Sequence, residues 1–129
     1  MQIEVIELDV VLTEKFIQFC CEELNIKPQH ITIEGWPDPF QNGALGLCYE
    51  VNNDHEYLIK VSTKGRNATE IYNTIAHEMI HVKQFMKQDL SNFIEAHKPA
   101  YDDRWWEIEA KKKSLNLVKK YVDILYNMA

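Results

Sequence analysis

From Ile71 onward the apolar residues Tyr72, Ile75, Ala76, Met79, Ile80, Val82, Phe85 and Met86 recur at helical spacing. They cover too wide an arc for a helix that buries one narrow stripe. Such a segment has to be covered from more than one side, so the rest of the chain must be organised around it. Asn67, with Glu70 three residues on, gives a capping-box-like start, in which each side chain satisfies a free backbone N–H of the other residue. The helix is expected to end near residues 87–89.

The remaining segments read as the cover. Residues 3–8 are apolar and β-branched enough for a short strand. Thr13 then offers an N-cap to a helix bearing Phe16, Ile17, Cys20 and Leu24. After Pro28, residues 30–34 alternate like a strand, and Gly35-Trp36-Pro37-Asp38-Pro39 interrupts it. Two further β-rich runs, residues 45–51 and 56–62, are joined by Asn52-Asn53-Asp54-His55 and read as a hairpin. A last helix, capped by Asp102 or Asp103, runs through Ile108, Leu115, Val118, Val122 and Leu125. With 129 residues, 46% of them hydrophobic, there is material for one core and no second one, so residues 1–129 are read as a single domain. The expected class is α+β: a small, mainly antiparallel sheet, an N-terminal helix, the broad helix beneath the sheet, and a C-terminal helix.

The broad helix carries ionisable groups where a purely structural helix has no use for them. His77 and His81 lie one turn apart, so both imidazoles project from one face, as two nitrogen ligands of a tetrahedral Zn²⁺ must. Glu78 is turned by about 100° from His77, beside such a metal and not on it, where a carboxylate can take a proton from an attacking water. The plain alternative is a buried helix with an incidental histidine pair. A catalytic zinc keeps one position open, so one more protein ligand is needed from elsewhere. Glu107, Glu109 and His97 are the candidates downstream. The two glutamates are separated by about 200° around a helix, so only one of them can face the metal.

The pair of segments His77-Glu78-Met79-Ile80-His81 and Trp106-Glu107-Ile108-Glu109-Ala110 resembles the gluzincin metallopeptidases. The likeness is greatest to the short minigluzincins and to phage-encoded metallopeptidase-like proteins with a Pro-Trp-Glu-x-Glu-Ala segment. It covers roughly residues 45–110, and Trp105 stands where the phage pattern has proline. The resemblance implies a zincin-like fold and zinc-dependent peptide-bond hydrolysis. It implies His77, His81 and Glu107 as metal ligands, with Ala110 as the small residue that follows the ligand, and Glu78 as general base. It also implies an edge strand for the substrate, placed here at residues 56–62. Tyr101 is a candidate donor to the developing oxyanion. A second, fainter likeness connects His97-Lys98-Pro99-Ala100-Tyr101 with the His-Gly-x-x-Phe segment of SprT-like proteases, which act on proteins crosslinked to DNA; it would make His97 the third ligand. A third reading is a zincin-fold binding module without turnover.

Composition narrows the partners. A formal net charge of -6 disfavours a phosphate-backbone binder, and Lys111-Lys112-Lys113 with Lys119-Lys120 reads as a solvated helix face. No apolar run reaches the roughly 20 residues of a membrane span. The start of the chain lacks a secretory pattern, so a cytoplasmic monomer acting on peptide or protein substrates is expected, with Asn67-Ala68-Thr69 a coincidental glycosylation sequence. Cys20, Cys21 and Cys48 are too few and too poorly spaced for a disulfide framework and read as reduced, packed thiols. Trp105 and Trp106 are read as anchoring the last helix to the core, with the floor of a substrate cleft as the alternative.

Overall fold

The computed structural model describes residues 1–91 and 104–128. In chain order these form strand β1 (Gln2–Ile6), helix α1 (Val10–Leu24), strand β2 (His30–Trp36), a short 3-10 turn (Gln41–Gly43), strands β3 (Gly46–Asn52) and β4 (Glu56–Ser62), and helices α2 (Ala68–Lys87) and α3 (Trp105–Met128).

Helix α1 starts earlier than its sequence suggests. Asp9, not Thr13, is the N-cap, its carboxylate accepting from the Leu12 N–H at 2.8 Å. Thr13 instead sits in the buried stripe with Phe16, Ile17, Cys20 and Cys21. Either residue can cap a helix; the carboxylate wins here because the chain leaves β1 before Asp9, freeing the first turn for it. Asn25 closes the helix in the left-handed region at φ 52°, a conformation that asparagine tolerates better than most residues.

The sheet is mixed, with order β1-β2-β4-β3. β1 pairs parallel with β2, β2 parallel with β4, and only β3 with β4 is antiparallel. The expected mainly antiparallel sheet is therefore corrected. Helix α1 is a crossover that returns the chain beside β1 in the same direction. The hairpin then inserts its second strand next to β2 and pushes its first strand to the rim. The same order corrects the placement of the edge: β4 is bonded on both sides, and among the described residues the edge strands are β1 and β3. The hairpin turn has Asn52 Oδ1 accepting from the Asp54 N–H at 2.8 Å and His55 at φ 60°. A bulge between Glu50 and Asn52 leaves Val51 without a cross-strand partner.

Alternation along β2 and β4 buries Ile31, Ile33, Tyr57, Ile59 and Val61 on one face, where register sets Ile31 beside Tyr57 and Ile33 beside Ile59. The other face carries Thr32, Glu34, Leu58 and Lys60, all partly exposed. Helix α2 brings Ile75, Ala76, Met79, Ile80 and Val82 into the same core, and α3 adds Ala110, Leu117, Val118 and Tyr121. The N-terminus of α2 carries the expected capping box, with Glu70 N–H to Asn67 Oδ1 at 2.9 Å and Asn67 N–H to Glu70 Oε1 at 3.1 Å. At the start of α3 Trp106 is buried and Trp105 half-buried, and Lys111, Lys112 and Lys113 are exposed. The three thiols are free. Among the described residues no helix is long and apolar enough to cross a membrane. Asp102, Asp103, Tyr101 and His97, all singled out in the sequence, lie outside the described residues.

Candidate metal centre

Helix α2 lies against β3 and β4 with the turn holding His77, Glu78 and His81 facing the sheet rim, and α3 packs along it from the other side. This places Glu107, in the first turn of α3, opposite the two histidines. Glu107 Oε1 is 2.5 Å from His81 Nε2, and Glu107 Oε2 is 3.5 Å from His77 Nε2. One ligand atom from each of the three residues falls within 4.8 Å of the others, the one such group of three or more among the described residues. Two imidazole nitrogens and a carboxylate oxygen are a donor set that suits zinc. Zinc bonds of about 2.0 to 2.2 Å place tetrahedral ligand atoms roughly 3.4 Å apart. The His77 contact already has that spacing, and the His81 contact has to open by about 1 Å, within reach of a glutamate side chain.

Glu109, the alternative glutamate, points elsewhere. Its Oε1 accepts from Gln84 Nε2 at 3.0 Å, and its Oε2 lies 3.4 Å from Lys113 Nζ. Burial works to raise its pKa, but the Gln84 hydrogen bond and the lysines Lys113 and Lys83 hold it below the usual carboxylate range. Gln84 itself is fully buried. Its Oε1 lies 2.7 Å from His81 Nδ1, and its Nε2 also donates to the Trp106 carbonyl at 2.9 Å. The sequence signal for Gln84 is its spacing, three residues beyond His81 and seven beyond His77, which sets it on the histidine face of α2.

Glu78 is only 5% exposed. Burial pushes its carboxyl up to about 7, against the pull of the His81 and His77 imidazoles and with some help from the Glu107 charge. Burial works to lower the His81 pKa, yet the hydrogen bond to Glu107 and the nearby carboxylates raise it overall. Gly46, at the start of β3, closes over this turn. A Cβ there would come within 2.6 Å of Thr74 Cγ2 and 2.7 Å of Glu78 Oε2. The absence of a side chain is what lets the strand lie against Glu78. Thr74 is held in turn by Arg66, whose guanidinium donates to Thr74 Oγ1 at 2.5 Å, to the Glu70 carbonyl at 3.0 Å and to the Ser62 carbonyl at 2.7 Å.

The three donors and Glu78 line an open groove of about 1140 Å³ walled by β3, the face of α2 from Glu70 to Phe85 and the early turns of α3. Along its sheet side runs the β3 edge. The Leu45 carbonyl accepts from the Ser62 N–H at 2.9 Å, so residues 45, 47 and 49 bond to β4. By alternation, Gly46, Cys48 and Glu50 turn their N–H and C=O groups outward. Such an edge can pair with an extended chain.

No family model, curated protein or solved structure matches this chain.

Proposed function

We propose that the protein is a zinc-dependent peptidase of the gluzincin type, with a zincin-like fold. The observation that carries this reading is the meeting of His77, His81 and Glu107, from two helices, beside a buried carboxylate that is not one of the three donors. His77, His81 and Glu107 would hold a zinc ion, which would supply Lewis acidity for carbonyl activation.

The chain's own residues supply the rest. An extended substrate pairs with the outward N–H and C=O groups of β3, which carries its scissile carbonyl along the groove toward the histidines. Glu78, held between Gly46 and the His77–His81 face, accepts the proton of the attacking water and delivers it to the leaving amine. Its burial favours the first of these. The raised affinity for a proton makes Glu78 a competent base.

The test replaces the base and leaves the donors. Glu78→Gln keeps the side-chain size, so folding and zinc content are expected to match wild type, while hydrolysis of unfolded proteins and a diverse peptide library falls by about 10² to 10⁴. New termini are read by mass spectrometry with and without chelator. Cleavage that is equal in wild type and Glu78→Gln, or absent from zinc-loaded wild type, refutes the peptidase reading. Capture of a partner by both proteins without cleavage would favour a binding module.

A further inference from the structure

We propose that Gln84 is a positioning residue that fixes the tautomer of His81, ties it to the backbone carrying Glu107, and relays to the imidazole the charge of Glu109. The inference rests on the metal-centre reading above.

The orientation of the Gln84 amide follows from its neighbours. A glutamine carboxamide has one end that only donates and one that only accepts. The Trp106 carbonyl, at 2.9 Å, and the Glu109 carboxylate, at 3.0 Å, are both acceptors, and both lie against Nε2. They use the two amide protons. The oxygen must then face His81 Nδ1, 2.7 Å away, and it can only accept. With Nε2 turned to a cation, the His81 ring proton is therefore on Nδ1. That is the arrangement in which Nε2, the nitrogen beside Glu107, offers its lone pair.

Metal-bound histidines usually give their second N–H directly to a carboxylate or a carbonyl. Here an amide stands between the imidazole and the carboxylate. Glu109 draws on the Gln84 amide protons, which makes the amide oxygen a better acceptor, and that in turn makes His81 a more basic ligand. Lys113 neutralises the outer oxygen of Glu109 at 3.4 Å, so the buried side of the relay is not left with an uncompensated charge. The same amide grips the carbonyl of Trp106, the residue next to Glu107. Gln84 thus sets two donors at once, one through a ring proton and one through the position of a helix turn. The second glutamate of the Trp-Glu-x-Glu-Ala segment, turned away from the centre by helical rotation, acquires its role in this way.

The experiment compares wild type with Gln84→Met, Gln84→Glu, Glu109→Gln and the double variant Gln84→Glu/Glu109→Gln. Zinc affinity is read by chelator competition, the melting of each metal-free protein is followed, and the His81 ring proton is observed in zinc-loaded, isotope-labelled protein. Gln84→Glu sets two carboxylates against each other and should lower zinc affinity by about 10- to 100-fold. Adding Glu109→Gln returns a donor to the pair and should recover most of that loss. Zinc-loaded wild type should show an Nδ1 proton protected from exchange, and Gln84→Met should lose the protection. Full zinc affinity in Gln84→Glu or Gln84→Met, or a double variant no better than Gln84→Glu alone, overturns the proposal. A wild type that takes up no zinc refutes the metal-centre reading instead. In that case the metal-free melting set still decides the clamp: recovery by Glu109→Gln only in the presence of Gln84→Glu supports it, and additive effects overturn it.

Discussion

Single residues divide sharply in what they disclosed beforehand. His77, Glu78 and His81 were legible because their relation is local: a helical turn fixes it wherever the helix lies. Glu107 was legible through the pattern it shares with Trp106 and Ala110, and the structure sets it, and not Glu109, against the two histidines. Gly46 and Gln84 were not legible, since their importance comes from neighbours far away in sequence, Gly46 from Thr74 and Glu78, Gln84 from Trp106 and Glu109. Two expectations belong at this scale. Glu107→Ala should abolish stoichiometric zinc measured by metal analysis, whereas Glu109→Ala, which keeps all three donors, should weaken binding and leave the stoichiometry near one at saturating metal. Gly46→Ala should cost about 1 to 3 kcal/mol in a denaturant melt, because the added methyl has to displace the buried Glu78 carboxylate or Thr74, both packed under β3. It should also depress peptide hydrolysis by more than the stability loss explains. A Gly46→Ala protein with wild-type stability and turnover would remove the close approach from the account of the site.

Elements were read best where periodicity and capping agree. Helix α2 begins and ends where its sequence predicts, because Asn67 and Glu70 specify the start by short-range hydrogen bonds and the apolar arc specifies the rest. Asn67→Ala should therefore lower stability by about 1 kcal/mol in chemical denaturation, by exposing an unsatisfied N–H in the first turn. It should leave zinc stoichiometry intact, since His77 lies beyond the capped turn. Alternation and turn chemistry identify the strands and the hairpin, but not the order of the strands. Parallel pairing of β2 with β4 spans the whole of β3, and no feature within either strand announces a partner at that distance. The edge beside α2 therefore differs from the sequence expectation, and with it the wall of the groove.

For the whole molecule, the sheet, α1 and α2 form one packed body through the shared core, and α3 seals the far side of α2. Zinc bound between α2 and α3 should act as a clasp between them. At free zinc one hundred times the dissociation constant, binding contributes about 2.7 kcal/mol, or roughly 10 °C in Tm for a chain of this size. Differential scanning calorimetry with zinc, with chelator and with His77→Ala measures it; a melting point indifferent to all three would mean that no clasp exists. The division of the donors has a further consequence during synthesis. His77 and His81 leave the ribosome well before Glu107, so a growing chain holds two of the three donors until the start of α3 has emerged and folded back along α2. On the proposed reading, a centre assembled in this order stays incomplete, and inert, until the start of α3 has joined α2.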